Sequence, residues 1–171
     1  MKLLIIRHGA PDYERDTLTA QGWREAQLLS DRLIQMRVDR IYCSPLGRAQ
    51  DTALPTIQKT GIQPVVLDWL REFDRRMPGD LKKDCPWHLP PSFWASRPEY
   101  LNIDQWDSTE PYLDSALVQS YREDGAALDR LLAEFGYIRN GVGFDILPDA
   151  GIVVDNYSIR SNNRQAMFWT N

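Results

Sequence analysis

Histidine and cysteine are scarce in this sequence: its 171 residues contain two of each, His8, His88, Cys43 and Cys85. Two cysteines are too few for a disulfide framework, and Cys43 ends an apparently buried strand, so reduced thiols are expected; neither cysteine sits in a metal-ligand cluster. Basic runs are missing too. With a formal net charge of -4 and no basic tail, the chain is not built for nucleic acid or a membrane surface, and any positive site must be local. No stretch approaches the length of a membrane span. The start, MKLLIIRHG, is too short and too soon interrupted by charge for a signal peptide, which sets the cytoplasm as the expected location. Internal repeats and low-complexity tracts are also lacking. What remains, 43% hydrophobic and 26% charged residues, is the composition of one globular domain over residues 1–171.

The apolar residues then sort into elements. Residues 2–6 form a short continuous apolar run, as in a strand covered on both faces. From Thr19, an N-cap, the residues Trp23, Ala26, Leu29, Leu33 and Met36 lay one apolar stripe along a helix. Arg40 to Cys43 reads as a second buried strand, stopped by Ser44-Pro45. Leu46, Ala49, Ala53 and Ile57 give the next stretch helical spacing, with Pro55 demanding a late start or a kink, and Gly61 ends it. Pro64 to Leu67 is a third strand. This alternation implies right-handed crossovers and a parallel α/β sheet, whose ligands sit at the carboxyl ends of the strands, where His8 and Ser44 lie.

Residues 74–112 change character: Pro78, Pro86, Pro90, Pro91, Pro98 and Pro111 are mixed with Trp87, Phe93, Trp94, Tyr100, Trp106 and Tyr112. This is an irregular insertion within the domain. It reads equally as a lid that excludes water from the site or as a satellite cluster stabilising a long loop. His88, in CPWHLPP, reads as a structural or solvent-facing histidine. A long helix follows from Leu113 to Phe135, ended by Gly136, and both Gly151 to Val154 and Ala166 to Trp169 have the look of late strands.

An apolar strand has no use for a cation and an imidazole at its tip, so Arg7-His8-Gly9 suggests an anion site. RHG at 7–9, LTAQGWREA at 18–26, SPLGRAQDTALP at 44–55 and WLRE at 69–72 converge on one sheet edge. Together they resemble the histidine phosphatase superfamily, also called phosphoglycerate mutase-like; the likeness is close up to about residue 75, and residues 84–140 resemble a bacterial branch with a Trp/Pro-rich insertion. The resemblance implies a three-layer sandwich, a mostly parallel sheet flanked by helices, and no metal or organic cofactor. It makes His8 the nucleophile that becomes phosphorylated. Arg7 and Arg48 would grip the phosphoryl oxygens, since a planar guanidinium gives two parallel hydrogen bonds. Glu72 matches the family's proton donor to the leaving oxygen. Asp12 and Glu14 read as loop acids.

Relatives also carry a second histidine followed by glycine after a late strand, and this sequence has none there. If Gly151 to Val154 is that strand, Asp155-Asn156 takes the histidine's place; if Ala166 to Trp169 is, Asn171 does. The second register fits without gaps after Asn162-Asn163 and is preferred, leaving residues 142–156 as an insertion or scrambled sequence. The helix and strand that normally follow are missing as well, so the resemblance is to a C-terminally truncated or divergent member, with a fold incomplete at that end. Losing a preorganised cationic donor costs about 100- to 1000-fold in rate. The expected function is phosphomonoester hydrolysis through a phosphohistidine on His8, acting on a small phosphorylated substrate, with activity impaired. The rivals are a non-catalytic phosphoester-binding relative and a mutase-type phosphotransferase, against which the aromatic insertion speaks. An open sheet edge would favour a homodimer.

Overall fold

The computed structural model describes residues 2–36, 38–73, 76, 89–110, 112, 116–148, 152–155, 158–161 and 165–170. The first apolar run forms β1 (Lys2–Arg7). A two-residue antiparallel pair, β2 (Pro11–Asp12) and β3 (Thr17–Leu18), follows. Helix α1 (Ala20–Leu33) starts where expected, since Thr19 is its N-cap and the Thr19 side chain accepts from the N–H of Gly22. Its buried residues are Gly22, Ala26, Ser30 and Leu33, and Leu29 and Met36 pack on the core, so the expected stripe holds except at its start, where Trp23 is 37% exposed and Gly22 is buried instead. The glycine displaces the tryptophan because the start of the helix carries the backbone of the β1–β2 loop.

Strand β4 (Arg40–Cys43) has the expected bounds. Helix α2 (Gly47–Thr60) neither starts late nor stops at Pro55, which is buried within it. Gly61 closes it in the left-handed region, at φ 71, where a Cβ would be strained. Strand β5 is the short pair Val65–Val66.

The chain divides into two compact units, Met1–Glu72 with Leu131–Asn171, and Phe73–Arg130. In the second unit, α3 (Pro91–Trp94), two 3-10 turns and the start of α4 (Ala116–Ala133) surround an aromatic cluster. Phe93 stacks on Tyr100 at 5.3 Å, and Tyr112 lies between Trp94 at 6.2 Å and Trp106 at 5.4 Å. These rings pack on one another, as in a satellite cluster. Burial pushes the Tyr112 phenol up to about 12, helped by Tyr100. Trp87 and His88 lie outside the described residues.

After α4 come two hairpins, β6 (Tyr137–Asn140) with β7 (Gly143–Ile146), and β8 (Ile152–Asp155) with β9 (Ser158–Ser161), and then β10 (Gln165–Thr170). The segment 142–156 is therefore largely strand, although it reads as insertion in the sequence. The central sheet has the order β1-β10-β4-β5, with every pair parallel. Of the two registers, the preferred one matches: β10 fills the gap between β1 and β4, pairing Thr170 with Arg7, whereas β8 belongs to a separate hairpin. Asn156 and Asn171 lie outside the described residues.

Alternation along the strands separates two cores. Leu4, Ile6, Ile41 and Cys43 meet Leu29 and Leu33 of α1 and Ala49, Ala53 and Ile57 of α2 on one face. Leu3 and Tyr42 meet Leu131, Phe135 and Tyr137 on the other. The result is an α/β sandwich of three layers. Ile5, on the same face as Leu3, is 71% exposed, so the second layer covers that face only in part.

Cys43 is fully buried, and burial pushes its thiol from 9.0 up to about 12. A group whose pKa is raised on folding stabilises the fold below its unfolded value and loses that contribution as pH climbs toward the folded one. Thermal unfolding should therefore show a fall in Tm above pH 9 that Cys43→Ala flattens. A curve equally steep in the variant would show that Cys43 contributes nothing to it.

Candidate active site

His8 stands one residue past β1, at the carboxyl edge of the parallel sheet. Its Nδ1 lies 2.7 Å from the carbonyl oxygen of Gly9. A carbonyl only accepts, so Nδ1 carries the hydrogen, and in the neutral ring the lone pair is on Nε2. The backbone around it is held from two sides. The Gly9 N–H donates to Oγ1 of Thr52 at 3.0 Å, and that hydroxyl donates to the Arg48 carbonyl at 2.7 Å. The Ala10 N–H donates to Glu25 at 2.8 Å, and the Ala10 carbonyl accepts from both the N–H and the hydroxyl of Thr19 at 3.0 Å. The histidine loop is thus pinned to the first turns of both α1 and α2.

Arg48, in the first turn of α2, is only 7% exposed. Its Nη1 donates to Oδ1 of Asp16 at 2.7 Å and its Nη2 to Oε2 of Glu72 at 3.1 Å, while its Nε is buried and unpaired among the described residues. The Tyr13 ring joins this group to the histidine: the Arg48 guanidinium sits 5.3 Å from its centre, and the His8 ring meets it edge-on at 6.2 Å. Glu72 follows the 3-10 turn Asp68–Leu70, whose Leu70 is anchored in the core, and its side chain is 47% exposed.

Asp16 links the whole group to the fold. It has a positive φ of 48, and its Oδ2 accepts from the Gly47 N–H at 2.7 Å. The α2 N-cap, Leu46, offers no side-chain acceptor, so Asp16 satisfies an orphan N–H of that helix from across the loop. Burial pushes the Asp16 carboxyl up, but the Gly47 N–H and the Arg48 guanidinium and N–H outweigh it, and its pKa lies below the ordinary aspartate value. Gly47 is required here, because a Cβ at that position would sit 2.0 Å from the Asp16 carbonyl oxygen.

Of the four residues singled out in the sequence, His8, Arg48 and Glu72 gather at one edge of the sheet. Arg7 ends β1 with an exposed side chain that forms no ion pair with a described residue. Asp12 is a turn acid, accepting from the N–H groups of Glu14 and Arg15. Sequence reasoning passed over Tyr13, Asp16 and Thr52. Thr52 was detectable, since four residues after Arg48 it shares the same helix face; Asp16 was not, because nothing in DYERD separates it from the other two acids.

Residues 3–93 match the model of the histidine phosphatase superfamily (branch 1), more than half of the chain, and the protein belongs to that family. A Schizosaccharomyces pombe relative named as a phosphatase is 35% identical over 92 residues, 48% of this chain and 43% of that protein. Phosphoserine phosphatase 1 of Hydrogenobacter thermophilus is 26% identical over 120 residues, 63% of this chain and 57% of that one. The chain thus spans about half the length of these curated relatives. Its fold resembles that of mycobacterial glucosyl-3-phosphoglycerate phosphatase solved with inorganic phosphate, at a TM-score of 0.54 and 21% identity over 99% of this chain and 72% of that one. Among the described residues no helix is long and apolar enough to cross a membrane.

Proposed function

We propose that the chain is a phosphomonoester hydrolase that works through a phosphohistidine on His8. The observation that carries this reading is the His8 Nδ1 contact with the Gly9 carbonyl, which leaves the lone pair on Nε2, in a ring that shares the Tyr13 side chain as a neighbour with the buried Arg48 guanidinium. A neutral imidazole suits attack on an anionic phosphoryl group better than a charged nucleophile does. In the proposed sequence the P–Nε2 bond forms as the P–O bond to the leaving group breaks, and Glu72 gives that oxygen its proton. Water then displaces the phosphoryl group from Nε2, returning its proton to Glu72 and releasing inorganic phosphate. Arg48, and Arg7 from the strand end, would neutralise the phosphoryl oxygens.

A second reading, a phosphoester-binding relative that does not turn over, is favoured by one observation: His8 and His88 are the only histidines in the sequence, and in the preferred register Asn171 stands where the resemblance places the second one. Acid quenching is unsuitable for telling these apart, because a phosphorus–nitrogen bond is labile in acid. Incubation with a phosphorus-32-labelled aryl phosphate and quenching in alkali should leave label on the peptide holding His8. Absence of label, or equal label on His8→Ala, would reject the hydrolase reading.

A further inference from the structure

Both outer nitrogens of Arg48 already hold a carboxylate in this structure: Nη1 is bonded to Asp16 and Nη2 to Glu72. A phosphoryl group brought to the same guanidinium is an anion repelled by both, and the two carboxylates are not equivalent. Asp16 bonds at once to the Gly47 N–H and to the guanidinium, so its departure would orphan a helix N–H and leave a buried cation without its nearest counter-ion. Among the described residues Glu72 makes one side-chain contact, the longer of the two at 3.1 Å, from a half-exposed side chain on the segment after a 3-10 turn.

We infer that Asp16 is a positioning residue that holds Arg48 permanently, and that Glu72 is its exchangeable partner, displaced from Nη2 by the incoming phosphoryl oxygen. This rests on the reading of the site as a phosphatase site. A carboxylate in an ion pair has no proton to deliver, so exchange also solves the problem of how Glu72 becomes an acid. Once released, it takes the proton of a singly protonated phosphoester oxygen and passes that proton to the leaving oxygen as the P–O bond breaks. Charge and protons balance with no further reagent: the proton that water leaves on Glu72 departs with the released phosphate, and the carboxylate returns to Arg48. Binding and acid release become one event, and the phosphoester that starts the reaction is the monoanion.

The test uses the full chain and inorganic phosphate as the probe, titrated by calorimetry into wild type, Glu72→Gln, Asp16→Asn and Asp16→Glu. Glu72→Gln should bind phosphate about tenfold more tightly while losing turnover, because a neutral amide competes less well for the guanidinium. Asp16→Asn should bind about tenfold more weakly, with partial recovery in Asp16→Glu. Nitrogen-15 spectra without phosphate should show the Arg48 guanidinium rotating freely in Asp16→Asn and still hindered in Glu72→Gln. Unchanged or weaker phosphate binding in Glu72→Gln overturns the exchange. Wild-type phosphate affinity in Asp16→Asn, with only Tm lowered, reduces Asp16 to a structural residue and overturns its positioning role. A wild type that binds no phosphate and takes no label overturns the phosphatase reading and the exchange with it; the anchor is then judged by the Arg48 spectra alone, and falls if Asp16→Asn leaves them unchanged.

Discussion

His8→Ala should reduce hydrolysis of an aryl phosphate to the uncatalysed background, a loss on the order of 10³-fold, since in the proposed mechanism the imidazole is the covalent nucleophile and its removal removes the reaction path itself. The variant should stay folded. The described side-chain contacts of His8 are the Gly9 carbonyl and the edge of the Tyr13 ring, neither of which holds up the core. Loss of activity with an unchanged Tm would therefore report chemistry. The size of the drop is capped by how far the wild-type rate lies above the uncatalysed background. Equal rates in wild type and variant, at any absolute level, would remove His8 from the mechanism.

The parts of this fold that sequence pattern exposes are those where one physical demand dominates. β4 is buried on both faces and β1 is packed on one face and partly covered on the other, so their apolar runs mark them within a residue, and Thr19 marks the start of α1 because a side-chain oxygen is needed there. Trp23 shows where that logic ends: spacing puts it on the apolar stripe, but the contact surface at the start of α1 is backbone, and only Gly22 admits it. Pro55 illustrates a similar override, since the core packing of Ala49, Ala53 and Ile57 carries the helix through it. Of the hairpin strands in 137–161 only β8 is marked in the sequence, as the run Gly151 to Val154; the others are four residues long, and β6 and β7 are mostly exposed, which erases the alternation that marks a strand. In the site, His8 and Arg48 were legible from motif spacing, whereas Asp16 acts through a positive φ and a helix end that become neighbours only after folding.

Gly22→Ala should be among the most damaging conservative substitutions in the first unit. The glycine of L-T-x-x-G lies where α1 meets the histidine loop, and a Cβ there would come within 2.3 Å of the Ala10 carbonyl oxygen and 3.0 Å of the Ala10 nitrogen. Both are backbone atoms, so no rotamer change relieves the overlap. The Ala10 carbonyl is held by two bonds from Thr19 and its N–H by Glu25, so moving the loop aside breaks the links that pin it to α1. Overpacking against fixed backbone costs about 3 kcal/mol, which for a domain of this size is a fall in Tm of roughly 6–12 °C. Alanine's better helix propensity returns less than about 1 kcal/mol. Because Ala10 is two residues from His8, the proposed nucleophile, the same shift should move His8 relative to Arg48, and phosphate affinity and turnover should fall together with stability. Gly125→Ala, on α4 with nothing within 4 Å of its Cβ, is the control: there the propensity gain stands alone, and Tm should hold or rise. Equal Tm shifts at the two positions would show that the close approach of α1 to the histidine loop does not constrain the fold.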